Sequence, residues 1–322
     1  MLSKKQIIGI KTETTQGTVI PLTATDYFLA SNADINPVVE LLPRDYAHMT
    51  LGQLAAVVGQ VYVELKFSMH LKTSGTAGTP FAPLSAVLQA AGMSETIVAT
   101  TSVTYAPLSN TITNFYTLGK SATVEFYRDA NATLTGHKWV ISGAVVTALK
   151  MSCDKAGHPI SLDVTMRGMY SAVTGATGPA TVTYSTTLPP VFQSASLLID
   201  SYAGVVSKFD IDFGIESTTR EDTNSPYGIK GFQVTGRKPK MTIDPEMSLV
   251  ASYDWFGKFV SGNQGAFTAV LGATAGNKTT ITAPKAQYTD VKHGDRGGIL
   301  TAEVSAQLNE NTGDDEFSIA QT

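Results

Sequence analysis

The stretch Val61-Tyr62-Val63-Glu64-Leu65-Lys66-Phe67-Ser68-Met69-His70-Leu71 alternates apolar and polar residues without a break. Successive side chains of a β-strand point to opposite faces, so this period of two predicts a strand with one buried face and one face in water. A strand of this length would extend roughly 36 Å, about twice the common length. Its polar residues form a candidate functional surface: Tyr62, Glu64, Lys66, Ser68 and His70.

The same alternation recurs in three shorter segments, 160–167, 209–213 and 301–308. Alternating strands are typical of antiparallel sheets, whereas the strands of parallel sheets are continuously apolar. Helical periodicity is limited to residues 84–91, which Gly92 would end, and to a second candidate at 249–260. The sequence therefore predicts a mainly β fold, with sheets capped by one short helix per domain.

The composition excludes several classes of protein. The chain has 322 residues, of which only 16% are charged, and a formal net charge of −4. The sequence has no run of Lys and Arg, which is the pattern that would predict a surface for nucleic acid or anionic lipid. No apolar stretch approaches the ~18 residues of a membrane span, and the first residues lack the apolar core of a signal peptide. A single cysteine, Cys153, leaves no partner for an intrachain disulfide.

The two halves of the chain resemble each other. The segment 136–166 aligns without a gap with 276–306, so that Gly136 meets Gly276 and Val164 meets Val304. The earlier segments 61–67 and 84–91 match 232–238 and 255–262 at a larger spacing, and an insertion at 94–120 in the first half would account for the difference. The identities are sparse and mostly glycine, so chance similarity between two β-rich halves is the alternative explanation.

We therefore predict two tandem, duplicated domains. The first comprises residues 1–171, with an N-terminal arm, a long loop at 41–59 and the insertion at 94–120. The Gly-, Pro- and Thr-rich segment 172–190 is a linker or extended arm. The second domain comprises residues 191–322 with a C-terminal tail.

Two long segments, 41–59 and 214–228, interrupt strong strands at equivalent places, and each is predicted to be a long hairpin loop. Loops longer than about 12 to 15 residues are usually functional or disordered. The apolar tip of the first loop would be unfavourable in water, which favours burial against a partner. The candidate contact residues are Arg44, Asp45, Leu54, Val57, Val58, Arg220, Glu221 and Asp222.

No pattern in the sequence indicates catalysis or a cofactor. The five histidines do not have metal-ligand spacing, and the lone Cys153 is more typical of a structural or exposed cysteine than of a catalytic thiol. The run Gly294-Asp295-Arg296-Gly297-Gly298 predicts a tight turn with a local ion pair, and the acidic residues 314–316 predict a solvated or partner-binding turn. We expect no metal, no cofactor and no enzymatic activity.

Several segments, taken in their order along the chain, carry a resemblance to a known family. They are KTETTQGT (11–18), LLPRDYAHMTLG (41–52), SGTAGTPFAPLSAVLQAAGM (74–93), SVTYAPLS (102–109), GIKGFQVTGRKP (228–239), IDPE (243–246), NKTTITAPKAQYTDVKHGDRGGI (277–299) and NTGDDEFSI (311–319). With these segments the chain resembles the major tail tube proteins of long-tailed, siphovirus-type bacteriophages. The resemblance covers nearly the whole chain and implies a β-sandwich or half-barrel with one short flanking helix per domain. It also implies that the subunits form rings, which stack into a hollow tube through which the genome passes.

The resemblance also implies partners and a location. The chain would assemble with itself in stacked rings; a trimer of duplicated chains with pseudo-sixfold symmetry is favoured, and a hexamer is possible. Further partners would be the tape measure protein, the tail terminator and distal tail or baseplate proteins. DNA would cross the lumen without specific binding, and the polar strand face would line the lumen or the exterior. The protein would be located in the virion tail after assembly in the host cytoplasm, without membrane insertion.

Two other readings stay open at this point. One is another phage or bacterial β-structural protein, such as a decoration protein, an adhesin or a baseplate component. The other is a β-sandwich glycan hydrolase, which would require two carboxylates facing a cleft that is usually lined by aromatic residues. The sequence has only two Trp and no aromatic run, so such a cleft is not evident.

Overall fold

The computed structural model describes residues 4–193 and 196–322. The elements of the first half are β1 (Gln6–Thr12), β2 (Tyr27–Phe28), β3 (Ser31–Leu42), β4 (Val57–His70), α1 (Ala82–Ala90), β5 (Met93–Val98), β6 (Ser102–Pro107), β7 (Ala122–Arg128), β8 (Thr135–Cys153), β9 (Ser161–Met169) and β10 (Thr174–Thr177). Those of the second half are β11 (Leu198–Ile199), β12 (Phe209–Asp212), β13 (Ile215–Glu221), β14 (Ile229–Arg237), β15 (Lys240–Ile243), α2 (Trp255–Val260), β16 (Gln264–Leu271), β17 (Thr279–Arg296), β18 (Ile299–Asn309) and β19 (Ser318–Gln321). The prediction of a mainly β fold is confirmed.

Eight strands form one continuous antiparallel sheet, which we call the main sheet, in the order β3-β4-β9-β8-β12-β15-β18-β17. Within β4, Val63, Leu65 and Phe67 are buried, whereas Glu64 and Lys66 between them reach solvent. One face of this sheet therefore packs on the core, and the other is polar.

The long strands β8 and β17 continue from the main sheet into a second layer. The N-terminal part of β8 pairs with β7 and β10, and β7 pairs with β1. Likewise, the N-terminal part of β17 pairs with β16 and β19, and β16 pairs with β11. Apolar residues of both layers and of both halves belong to one continuous core, so the core does not divide at the predicted domain boundary.

The two halves have the same order of elements and the same pairings. The series β1, β3, β4, α1, β7, β8, β9, β10 in the first half corresponds to β11, β12, β15, α2, β16, β17, β18, β19 in the second. In the described part of the chain, the hairpin β5–β6 has no counterpart in the second half, and apart from Met93 it lies inside the predicted insertion at 94–120. Its strand β6 pairs with the C-terminal strand β19, so this insertion extends the second layer of the other half.

The predicted linker at 172–190 is an arm that lies along the first half. It contributes β10, and beyond this strand the backbone N–H of Thr183 donates to the carbonyl of Ala24 at 2.9 Å. Further along, Thr187 Oγ1 donates to the carbonyl of Ser74 at 3.1 Å. The arm is therefore part of the folded body.

The structure corrects several sequence-based boundaries. β3 continues to Leu42 and β4 begins at Val57, so the loop predicted at 41–59 is limited to residues 43–56. The loop predicted at 214–228 is mostly strand β13, because it pairs with β14 as a hairpin. The second helix begins at Trp255 rather than at 249, since Asp254 caps it by accepting from the backbone N–H of Gly257 at 2.8 Å.

Arg237, at the end of β14, connects three segments that are far apart in sequence. Its side chain is 14% exposed, and its Nη2 lies 2.7 Å from Asp314 Oδ1 and 3.0 Å from Glu316 Oε1. Its Nη1 donates to the carbonyl of Leu108 at 3.1 Å. Burial opposes ionisation of Asp314, but hydrogen bonds from Ser109 and Arg237 outweigh it and hold the pKa of this carboxyl below its usual value. The acidic C-terminal turn thus has a partner within the chain.

We expect Arg237→Ala to lower the free energy of unfolding by about 2–4 kcal/mol, because it leaves two partly buried carboxylates without their cation. Urea unfolding followed by circular dichroism measures this. Arg44→Ala, which removes an exposed arginine, is the matched control and should change stability by less than about 0.5 kcal/mol. Equal stability of the two variants would contradict the role given to Arg237.

Candidate assembly surfaces

The polar face of the main sheet is the first candidate surface. On β4, Lys66 and His70 are exposed, and Tyr62, Glu64 and Ser68 are half-buried. The neighbouring strands supply partners: Glu64 Oε2 accepts from Arg167 Nε at 3.3 Å, and Ser68 Oγ donates to Asp163 Oδ1 at 2.6 Å. Four of the five predicted residues thus belong to a solvent-accessible surface that spans several strands.

Tyr62 differs from the other four residues. Its ring packs edge-on against Phe232 at a centroid distance of 5.6 Å. Phe232 belongs to the β13–β14 hairpin, whose apolar residues Ile229, Phe232 and Val234 form a small cluster with Val145. The hairpin therefore covers this end of the polar face with residues of the second half.

The charges of the polar face are mixed in sign. Along one row, Lys150 on β8 lies opposite Asp163 on β9 and Asp212 on β12, and Asp212 lies opposite Lys240 on β15. The charged residues that the register places on this face are Asp34, Glu64, Lys66, Lys150, Asp163, Arg167, Asp210, Asp212, Lys240, Lys285, Asp290, Lys292, Arg296 and Glu303. With seven acids and seven bases, the face is close to neutral.

The tip of the β3–β4 hairpin is the second candidate surface. Val57 and Val58 are 50% and 57% exposed, although both belong to β4 and pair with β3. Arg44 and Asp45 are exposed in the loop, and Leu54 is half-buried. This hairpin extends beyond the body of the chain with apolar side chains in solvent.

Arg220, Glu221 and Asp222 were predicted as counterparts of that tip, but each makes contacts within the chain. The guanidinium of Arg220 lies 3.7 Å from the ring centroid of Tyr116, and Glu221 Oε1 accepts from Gln60 Nε2 at 3.0 Å. Asp222 accepts from the backbone N–H of Asn224 at 2.9 Å, and this bond lowers its pKa. Their role as contacts between subunits stays a prediction.

A protein-family model described as phage tail tube protein matches residues 3–309. The chain belongs to the phage tail tube family. No curated protein matches this tail tube chain. Membership identifies it as a structural protein of the phage tail, and thus as a virion component, in a family that is not one of enzymes.

This tail tube protein can also be examined for metal sites, membrane-spanning helices and reactive thiols. In residues 4–193 and 196–322, no group of three or more His, Cys, Asp and Glu side chains could hold a metal ion. No helix in the described part of the chain is long and apolar enough to cross a membrane. Cys153 is buried, and burial raises the pKa of its thiol, so it is not an accessible nucleophile.

Sequence reasoning missed the residues that join the two halves of this tail tube chain. Lys150 Nζ lies 3.6 Å from Asp210 Oδ1, across the pairing of β8 with β12. The alternation of Asp210 and Asp212 with apolar residues was visible in the sequence, but nothing in it indicated Lys150 as a partner. Such a pair depends on which strands become neighbours, and the sequence pattern does not specify this.

The ion pairs of Glu64 predict a pH dependence of stability. The hydrogen bond from Lys66 and the one from Arg167 lower the pKa of Glu64 below its ordinary value near 4.5. A lowered folded-state pKa stabilises the fold above about pH 4.5, and this contribution disappears as the pH falls through the folded-state value. Glu64→Gln should therefore cost less than about 1 kcal/mol at pH 7, since solvent screens its partners, and still less at pH 3.

Urea unfolding at both pH values measures the difference between wild type and Glu64→Gln. The exposed Glu310 provides the matched control through Glu310→Gln. A Glu64→Gln penalty that is larger at pH 3 than at pH 7 would rule out the assigned role.

Proposed function

We propose that this tail tube protein self-assembles into stacked rings that form the hollow phage tail tube, through which DNA is delivered to the host. Membership of the family supports the proposal of a tube, and the arrangement of the main sheet supports the proposal of a ring. The observation that carries the proposal is that two equivalent sets of four strands are already joined side by side within one chain. A sheet that adds such sets repeatedly can close on itself.

The two halves are proposed to be duplicated tube domains. The equal order and pairing of their elements support this, although the register differs from the one expected from sequence. The sequence comparison places Lys66 over Arg237, whereas the main-sheet pairings make Lys66 of β4 equivalent to Thr242 of β15. Three chains of two domains each would supply six equivalent positions, so the proposed ring is a trimer with pseudo-sixfold symmetry.

The polar face of the main sheet is proposed to line the lumen. Its opposite face packs on the core and the second layer, so only the polar face is available to a central channel. A strongly basic lining would bind the phosphates of DNA and retard its passage. The mixed and balanced charges of the face suit a channel that DNA crosses without specific binding.

The β3–β4 tip is proposed to contact another subunit, either in the same ring or in the next. Its equivalent in the second half is the β13–β14 hairpin, where Val234 corresponds to Val58 in the register that makes Lys66 equivalent to Thr242. Val234 is 3% exposed because the hairpin folds onto the first half, whereas Val58 is 57% exposed. The surface that covers Val58 would therefore be supplied by another copy.

Further partners are proposed from the family. They are the tape measure protein inside the tube, the tail terminator at one end and distal tail or baseplate proteins at the other. Assembly would take place in the cytoplasm of the bacterial host. No cofactor is proposed.

The ring should contain three chains. Native mass spectrometry of isolated rings, or image reconstruction of assembled tubes, gives the number directly. A ring of six chains would refute the trimer, and a protein that stays monomeric at high concentration and with its tail-tip partners would refute tube assembly.

Val58→Thr should leave the thermal unfolding temperature unchanged and reduce the yield of tubes, because the side chain is exposed in the single chain and covered in the assembly. Val234→Thr is the matched control: it should lower stability by about 1–2 kcal/mol, because its hydroxyl would be buried. Tube yield is measured by negative-stain microscopy and sedimentation. Normal tube yield with Val58→Thr would refute the proposed contact.

A further inference from the structure

The main sheet has two open edges. β3 pairs only with β4 in the described part of the chain, and residues 288–296 of β17 pair only with β18 there. An open strand edge presents unpaired N–H and C=O groups and is a template for another strand. The two edges lie at opposite ends of the eight-stranded order.

The junction inside the chain shows what such an edge binds. In the order of the main sheet, β8 is the last strand of the first half and β12 is the first strand of the second half. The two strands pair antiparallel, and Lys150 lies opposite Asp212. On the polar face, Lys150 also forms the ion pair with Asp210. Within the main sheet, a backbone ladder and one lysine–aspartate pair thus form the junction between the two halves.

The register of the main sheet identifies the residue that corresponds to Asp210. Thr165 and Ser305 occupy the same position when segment 136–166 is aligned with 276–306. In the first half, Lys66 lies between Asp34 and Thr165 on the neighbouring strands. In the second half, Thr242 lies between Asp210 and Ser305 in the same way. Asp34 on the open edge of β3 therefore corresponds to Asp210.

The strand pairing identifies the residue that corresponds to Lys150, and it differs here from the ungapped alignment, which places Lys150 over Asp290. Lys150 lies opposite Asp163 on β9, and Lys292 lies opposite Glu303 on β18. Asp163 and Glu303 occupy the same position in the alignment of the two segments. Lys292 on the open edge of β17 is therefore the equivalent of Lys150.

The two edges thus carry the charges of the internal junction. Asp34 and Lys292 have side chains that are 56% and 68% exposed. Within the chain Asp34 pairs with Arg128, and Lys292 pairs with Asp290 on its own strand. Both side chains are on the polar face, where Lys150 and Asp210 meet.

We propose that the β17 edge of one chain pairs antiparallel with the β3 edge of the next chain, with Lys292 opposite Asn36 and forming an ion pair with Asp34. The contact repeats the β8–β12 junction between chains, and its occupant is a second copy of this protein. It rests on the proposed assembly into rings and specifies which edges form them. Three copies would then close a barrel of about 24 strands, wide enough for an aqueous channel and without free edges.

Charge reversal tests the ion pair. Lys292→Asp and Asp34→Lys each place like charges together at every junction, and each should raise the protein concentration needed for ring formation roughly tenfold. The double variant Asp34→Lys with Lys292→Asp should restore part of the lost assembly. Restoration is incomplete because the reversed side chains lie beside Arg128 and Asp290 of their own chain. Lys155→Asp, a reversal at an exposed turn, is the matched control. Circular dichroism confirms that each variant is folded.

A cysteine pair tests the register directly. Asn36→Cys with Lys292→Cys places two thiols directly opposite each other, at a Cα separation that a disulfide tolerates in an antiparallel pair. Oxidised rings should then give covalent dimers and trimers on a non-reducing gel. Asn36→Cys with Lys155→Cys should give none, and the buried Cys153 should not contribute.

The outcomes separate this inference from the proposed function. Three results together would support the junction: the wild type forms rings, the charge-reversed double variant assembles, and the cysteines at positions 36 and 292 cross-link. Wild-type rings that tolerate each single reversal and give no cross-link would overturn the junction and leave tube assembly intact. Failure of the wild type to form rings under any condition would overturn both.

Discussion

The antiparallel pairing of β8 with β12 is the contact on which the rest of the structure depends. It joins two four-stranded sets into one sheet and gives the two halves a common polar face and a common core. Only four residue pairs form this ladder, and the ion pair between Lys150 and Asp210 lies across it. The contact is short, yet it determines that the second half continues the sheet of the first.

The second layer supports this arrangement from behind. The strands β8 and β17 belong to both layers, so a single backbone transmits the position of one layer to the other. The hairpin β5–β6 adds its strand to β19, and Arg237 holds the C-terminal turn against the insertion. These contacts connect the two halves at a second place, away from the polar face.

The residues of the polar face are not required to fill the core, and their ion pairs contribute little to stability because solvent screens them. Its basic and acidic residues alternate across neighbouring strands, which satisfies most charges locally and leaves the face close to neutral. A protein that encloses DNA needs such a surface, because attraction for phosphates would oppose movement. The same residues thus keep the strand face solvated and, in the proposed function, allow the genome to pass.

Much of the fold followed from local pattern. The alternation at 61–71 indicated β4 because burial of one face imposes a period of two, and the Leu84, Val87, Leu88 spacing before Gly92 indicated α1, whose last residue is Ala90. The glycines 297 and 298 indicated the turn between β17 and β18, where both have positive φ. The local ion pair predicted there was wrong, since Arg296 reaches Asp244 and Glu246 instead.

The sequence by itself determined the strand faces, the family and the likeness of the two halves, because these depend on periodicity and on residues close together along the chain. The tertiary structure decided which strands are neighbours and that residues 215–221 form a strand. It also decided that, among the described residues, β3 and residues 288–296 of β17 each pair with one strand only. Strand pairing joins residues far apart in sequence through backbone groups that every residue carries. The side-chain pattern therefore specifies the buried face of a strand but not the identity of its neighbour.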